Sequence, residues 1–397
     1  MPEPYRIAVV TGGRADYGLL RPLWLKLKAD VAFEPTMIAT GAHLMKEQGH
    51  TLEVLKNEGT DPLLTVDMRI EGDRPAQLGS ACGRALDGFS SLFEAHYFDL
   101  LVILGDRFEM LSVAMAAMLN RLPIAHIHGG EATFGLIDDA VRHSLTKMAA
   151  LHFVSHADYA NRVIQMGEQP DRVFNVGAIG LDNIADMALL SRQTLSEQTD
   201  LDWSKPTILL TYHPVTLNDQ ASAYGEMKTI LQAVQHSGMQ TLITMPNMDA
   251  GGGKVYQAIL DMQQETPEQF RLIKSLGQQR YLSAMYHCAV VLGNSSSGII
   301  ESASFKKPVV DIGTRQQGRV TGKNVLRVAC DCLAIEQAIE TARSDAFNRT
   351  LSGLRNPYGE GKTAEKMIQQ LKSLPLNDQA WLLKKGFYDW PKERGER

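Results

Sequence analysis

The stretch RIAVVTGGRADYGLL, residues 6–20, joins an apolar run to a glycine-bearing loop and then to leucines at helical spacing. Arg6–Thr11 reads as a buried strand, and Leu19, Leu20, Leu23 and Leu27 recur on one face of a helix. The same strand–loop–helix unit repeats along the chain, with strands expected at Thr36–Thr40, Leu100–Gly105, Ile124–Ile127, Leu151–Val154 and Val176–Gly180. Val- and Ile-rich strands alternating with helices predict a mostly parallel sheet covered on both faces. A polar stretch over 186–206 interrupts the pattern, which restarts with Thr207–Tyr212, Thr241–Met245, Phe270–Lys274, Ala289–Gly293 and Pro308–Gly313. The fold class is therefore α/β, with two open sheet units. The expected division is a first domain over 1–185, a second over 186–370, and a tail over 371–397 that can pack back on the first domain. A further helix is expected from Thr363.

With 397 residues, 44% of them hydrophobic and 21% charged, the chain can bury a substantial core and is not of disordered composition. A net charge of −5 argues against a nucleic-acid-binding surface. No apolar run is long enough to span a membrane. The opening MPEPYRIAVVTGG lacks the pattern of a secretory signal, so a cytoplasmic location is expected. Cys82, Cys288, Cys330 and Cys332 form no paired CxxC knuckles, and Cys330-Asp-Cys332 alone is a weak metal signal, so they read as free thiols.

In sheets of this kind ligands bind beyond the carboxyl ends of the strands, and the polar motifs fall there. Thr11–Gly18 opens a helix; its glycines allow close backbone approach, and Arg14 can pair with phosphate through its planar fork. Its glycine spacing is not that of GxGxxG. Gly105-Asp106-Arg107-Phe108-Glu109 delivers Asp106 as a base, an acid or a partner for a sugar hydroxyl. His126-Ile127-His128-Gly129-Gly130-Glu131 suits proton transfer. His126 and His128, two apart on one strand face, give metal chelation as the rival reading. Asp138 and Asp139 lie one turn before Arg142 and can pair with it on a helix face. His213 in Tyr212-His213-Pro214 and Asn247 in the loop from Pro246 to Gly253 end strands of the second half. Asn294-Ser295-Ser296-Ser297-Gly298 starts a helix whose N–H groups and hydroxyls suit phosphate, with Glu301 placed to accept ribose hydroxyls. Arg315 and Arg319 add cations. No GKS or GKT, nucleophile elbow or HExxH is present.

Taken in order, TGGRADYGLL, LGDRFEM, HIHGGE with IDDAVRHSLTK, YHPVT, PNMDAGG, NSSSGIIE and NPYGEGK resemble the UDP-N-acetylglucosamine 2-epimerase family, in particular its hydrolysing branch. The resemblance implies two Rossmann-like domains of the glycosyltransferase-B type, a homodimer, and an active site in the interdomain cleft that binds a nucleotide sugar. It implies hydrolysis of UDP-N-acetylglucosamine to UDP and N-acetylmannosamine through a 2-acetamidoglucal, with no cofactor and no metal. Related branches act on UDP-N,N'-diacetylbacillosamine or a GDP-linked equivalent, and a non-hydrolysing epimerase or a glycosyltransferase shares the frame. By resemblance, Asp106, Glu131 and His213 form the acid–base set. A carboxylate that many relatives carry falls at His128 here, so either His128 takes its role or Glu131 reaches the same space. A second acidic position maps to Asp138 or Asp139. Arg14, Asn247, Ser296, Ser297, Gly298, Glu301 and Arg319 are the expected substrate contacts.

Overall fold

The computed structural model describes residues 3–45, 51–72, 74–134, 136–215, 222–245, 252–273 and 276–390. The chain forms two compact units. The first contains Met1–Glu131, Asp138–Asp182 and Gly361–Arg397; the second contains Ala132–Ile137 and Asn183–Glu360.

The first unit holds seven strands: β1 (Tyr5–Thr11), β2 (Phe33–Ala39), β3 (Leu63–Thr65), β4 (Leu100–Leu104), β5 (Ile124–Ile127), β6 (Leu151–Val154) and β7 (Val173–Asn175). They pair in the order β3-β2-β1-β4-β5-β6-β7, all parallel. Successive residues feed opposite layers, as the two-residue period of a strand requires. Ile7, Val9, Leu100 and Val102 enter one core, and Ala8, Val10, Leu101 and Ile103 the other. Burial on both faces is why these strands read as unbroken apolar runs.

The second unit repeats the plan with β8 (Thr207–Thr211), β9 (Gln240–Thr244), β10 (Phe270–Ile273), β11 (Val290–Gly293), β12 (Val309–Ile312) and β13 (Val325–Val328). Their order is β10-β9-β8-β11-β12-β13, again parallel. Ile208, Leu210, Val290 and Leu292 face one layer, while Leu209 and Val291 face the other. In each sheet the order reverses between the first and fourth strands, β1 with β4 and β8 with β11. Open α/β sheets bind ligands at such a switch point.

One expected strand is corrected. Val176–Gly180 is not extended pairing. Val176 still donates to the Val154 carbonyl at 3.0 Å, but Gly177 turns the chain at φ 94°, and a helix begins at Gly180. The pairing residues are the preceding ones, Val173–Asn175.

The helix Thr363–Ser373 buries Ala364, Met367, Ile368 and Leu371 in the first unit. Each such large apolar side chain contributes about 1.5–3 kcal/mol on burial. Asp182 receives the backbone N–H groups of Thr363 and Ala364, both at 2.7 Å, which anchors the helix start. Farther on, Arg172 donates to the Trp381 carbonyl at 2.6 Å and lies 4.2 Å from the Trp381 ring centroid. Glu168, 1% exposed, accepts from Lys147 at 2.5 Å, Lys385 at 2.7 Å and His152 at 3.0 Å. Among the described residues no helix is long and apolar enough to cross a membrane.

Candidate active site

At the switch point of the first sheet, β1 ends in Thr11 and β4 in Leu104. The loop after β1 puts exposed Arg14 at the start of the helix Arg14–Ala29, with Gly13 as its cap. The loop after β4 brings Asp106, Arg107 and Glu109. Glu109 is 1% exposed and accepts from Arg107 Nε at 2.6 Å through Oε1; its Oε2 has no hydrogen-bond partner among the described residues. A Cβ at Gly12 would stand 2.8 Å from Glu109 Oε1 and 3.2 Å from Asp16 Oδ2, so a side chain there would have to displace the Glu109 carboxylate. Burial lifts the Asp16 carboxyl to about 6; Arg107 pulls against this and Glu109 adds to it.

The loop after β5 carries the histidines and Glu131. His126 is fully buried; one ring nitrogen lies 2.7 Å from the Gly105 carbonyl and the other 3.3 Å from the Thr146 hydroxyl. Burial holds its pKa down to about 3, so the ring is neutral. β5 ends at Ile127, and His128 takes the left-handed φ of 66°. A non-glycine residue in that region costs on the order of 1 kcal/mol and persists only where its surroundings hold it. His128 Nε2 accepts the Ile179 N–H at 3.3 Å, which leaves its proton on Nδ1 to donate to Glu131 Oε1 at 3.1 Å. The Ser155 hydroxyl also donates to Glu131 Oε1, at 2.8 Å, and Glu131 is 1% exposed. The two histidines therefore do not share a strand face, and each ring has its own partners, which removes the geometric basis for chelation by this pair.

Arg142, on the helix Ile137–Met148 and 1% exposed, ties these loops together. It donates to Asp106 Oδ2, to Asp139 Oδ1 at 3.1 Å and to the Glu131 backbone carbonyl at 3.1 Å. The planar guanidinium suits this, because it presents five donors in a fixed fork. Asp139 also lies 3.5 Å from His143 Nε2, while Asp138 sits half-buried in the same first turn. Asp106, Asp139, Glu131 and His128 are thus one connected group.

In the second unit the Asn294 side chain spans the switch point. Its Oδ1 accepts the His213 N–H at 2.8 Å and its Nδ2 donates to the His213 carbonyl at 2.8 Å, continuing the ladder between β8 and β11. His213 is 6% exposed; burial, with Arg315 nearby, holds its pKa down to about 3. The Asn294 carbonyl receives Gln316 at 2.7 Å and Arg315 at 3.2 Å. Ser295 caps the helix Ser296–Ile300. Within it the Ser297 hydroxyl donates to Glu301 Oε2, and Tyr281 is hydrogen-bonded to Ser297 and Thr211. Burial raises the Glu301 carboxyl to about 7, with the Ser297 hydroxyl opposing the rise. Gly293, at φ 125°, lies so close to the Thr211 carbonyl that no Cβ fits.

Residues 25–372 match the family model described as UDP-N-acetylglucosamine 2-epimerase. The chain belongs to the UDP-N-acetylglucosamine 2-epimerase family. It is 37% identical over 386 residues to GDP/UDP-N,N'-diacetylbacillosamine 2-epimerase (hydrolyzing) of Campylobacter jejuni subsp. jejuni serotype O:2, covering 97% of this chain and 99% of that protein. It is 35% identical to UDP-N,N'-diacetylbacillosamine 2-epimerase (hydrolyzing) of Legionella pneumophila subsp. pneumophila, covering 94% and 97% of the two chains. The crystal structure of UDP-GlcNAc 2-epimerase from Neisseria meningitidis bound to UDP-GlcNAc superposes with a TM-score of 0.80, covering 93% of this chain and all of that one at 16% identity. These matches bear out an enzyme of the family with two parallel-sheet α/β units.

For this epimerase-family chain, the expected positions fall into groups within each unit. Asp106, Glu131, His128 and Asp139 are brought together by Arg142. His213, Ser297 and Glu301 lie on the strand-end loops of the second sheet, with Ser296 half-buried at the helix start. Gly298 is buried there; a Cβ on it would make ordinary 3.5 Å contacts with Val291 and Val309. Arg319 is half-buried, and its carbonyl accepts from Arg327 at 3.0 Å. Asn247 lies outside the described residues. Glu109, which shares the motif of Asp106 and Arg107, pairs with Arg107 beside these groups. Sequence reasoning missed Ser155 and Tyr281, which reach their groups through tertiary contacts that spacing cannot reveal.

Proposed function

We propose that this protein is a hydrolysing 2-epimerase of a nucleotide-linked 2-acetamido sugar, and that UDP-N,N'-diacetylbacillosamine is its substrate. The reaction class is supported chiefly by the group held by Arg142, in which two acidic side chains, Asp106 and Glu131, stand with a histidine of fixed tautomer. Such a group suits removal of a weakly acidic C–H proton and return of a proton elsewhere. In the proposed course, a base takes the C2 proton as the C1–O bond to UDP breaks, and UDP leaves with that bond's electron pair. The resulting 2-acetamidoglucal then adds water, hydroxyl at C1 and a proton at C2 on the opposite face. Asp106 and Glu131 are our candidates for the two proton transfers, with His128 holding Glu131 in place and Asp139 holding Arg142.

The nucleotide-holding role falls to the second unit in this reading. His213, neutral because of its burial, offers an N–H to the departing diphosphate rather than a positive charge. Glu301 and Ser297 accept and donate to ribose hydroxyls, and Arg14, Arg319, Ser296 and Asn247 are further candidate contacts. No step calls for a cofactor. A homodimer is the proposed assembly, to be read by light scattering.

The choice of sugar rests on the relatives at 37% and 35% identity, whose names both specify diacetylbacillosamine. UDP-N-acetylglucosamine is the second reading, favoured by the description of the matching family model. Incubation of each nucleotide sugar in heavy-oxygen water, followed by NMR at early times, separates them. Free 2-epimerised diacetamido sugar carrying solvent oxygen at C1 is expected. Release of N-acetylmannosamine alone transfers the assignment to the second reading, and inertness toward both overturns the UDP assignment. Asp106→Asn should keep UDP binding within about threefold while turnover falls by at least about 100-fold, the usual scale of a general acid–base contribution; equal loss of both would assign Asp106 to binding or folding.

A further inference from the structure

Cys332, dismissed by spacing alone, acquires two partners in the folded chain. It opens the helix Cys332–Arg343, and Glu336 lies four residues on, on the same helix face. His236 ends the helix Ser222–His236, which packs against it. Cys332 Sγ lies 3.2 Å from Glu336 Oε1, and His236 Nδ1 lies 2.6 Å from the same oxygen. Among the described residues this is the only set of three His, Cys, Asp or Glu side chains whose ligand atoms converge, all within 4.8 Å of one another.

We propose that His236 Nδ1, Cys332 Sγ and the Glu336 carboxylate form a three-ligand site for Zn2+, separate from the groups assigned to the epimerase reaction. An imidazole, a thiolate and a carboxylate are the donors zinc takes, at about 2.0–2.1, 2.3 and 2.0–2.2 Å, with water completing a tetrahedron. Tetrahedral legs of that length place nitrogen and oxygen about 3.3 Å apart, so His236 and Glu336 need to part by less than about 1 Å. The His236 side chain, 61% exposed, is free to rotate by that amount. The ion replaces the protons that now bridge these atoms: the thiol proton and the Nδ1 proton leave these positions for solvent, and the neutral imidazole keeps its one proton on Nε2. The nearby Cys330 has a different partner: its Sγ lies 3.6 Å from the Glu226 carbonyl. Bound zinc pins two helices that pack on the same side of the second sheet, which makes the site structural.

Titration of the chelator-stripped full chain with Co2+ tests this, because only a thiolate ligand gives cobalt an intense sulfur-to-metal absorption in the near ultraviolet. One equivalent of Co2+ should develop that absorption, and Zn2+ should remove it. Cys332→Ser should abolish it, Cys330→Ser should retain it, and His236→Gln at its exposed position should weaken Co2+ binding by at least about tenfold. Turnover of all three variants should match the native enzyme, which reports that they fold. No sulfur absorption in the native chain, or an absorption that survives Cys332→Ser or vanishes with Cys330→Ser, overturns the proposal.

Discussion

Arg142 is 1% exposed, yet its guanidinium serves three oxygens that belong to three different loops or helices. A lysine keeps the charge but presents it as a single compact ammonium, which cannot hold a fork of this kind. Arg142→Lys should therefore lower kcat by at least about 100-fold with a smaller change in KM, measured by steady-state kinetics of nucleotide release. A KM rise at constant kcat would place Arg142 in substrate binding instead. Glu301 gives a second residue-level expectation. Its carboxyl, lifted to about 7 by burial, loses its proton as pH rises through that value. The ionised form is the better acceptor for ribose hydroxyls, so uridine affinity should rise several-fold between pH 6 and pH 8. Uridine does not titrate over that window, and Glu301→Gln should flatten the profile. A rise that persists in Glu301→Gln assigns the titration to another group.

Elements built on long buried runs were legible, as was the edge strand β10 with its buried Phe270, whereas two short edge strands without a buried position were not. Leu100–Leu104 and Thr207–Thr211 are buried at all five positions, so composition alone announced them. β3 and β13 were missed: Leu63–Thr65 is three residues long, Val325–Val328 is four, neither has a fully buried position, and both close a sheet. Val176–Gly180 misled because an apolar run next to a strand resembles its continuation until one knows that Gly177 has a positive φ. The candidate site divides the same way. Asp106, His128, Glu131 and His213 were legible because each follows a readable strand. The pairing of Asp106 with Arg142, 36 residues later, depends on how a helix packs across the sheet. Asn294 joins the ends of two strands by its side chain, as a ladder rung would. Asn294→Ala leaves the buried N–H and carbonyl of His213 without those partners, at about 1–3 kcal/mol for each group. We expect a loss of about 2–4 kcal/mol in urea unfolding together with weaker UDP binding. Unchanged stability would show that this rung is dispensable.

At the scale of the whole chain, the return of the C-terminal segment to the first unit stands out. Lys385 and Arg172 fasten it through Glu168 and the Trp381 carbonyl. Burial alone would raise the Glu168 carboxyl, but hydrogen bonds from His152, Lys147 and Lys385 outweigh it and hold the pKa near about 2. Because the folded value lies below the unfolded one, this stabilisation is complete above about pH 4.3 and is lost as pH falls toward 2. It amounts to about 2–3 kcal/mol. Denaturant titrations at pH 6 and pH 3 should show a steeper acid loss for the native chain than for Glu168→Gln, and equal slopes would remove Glu168 from the account.

The arrangement of the units also orders events on the ribosome. Nearly all of the second unit is one continuous segment, Asn183–Glu360, whereas the first waits for Gly361 onward to supply Met367, Ile368 and Leu371 to its core. Domains generally fold as units during synthesis, the earlier one first. Here the half that emerges first is completed last, so a stop codon after residue 360 would deprive the first half of its core helix while leaving the coding of the second intact.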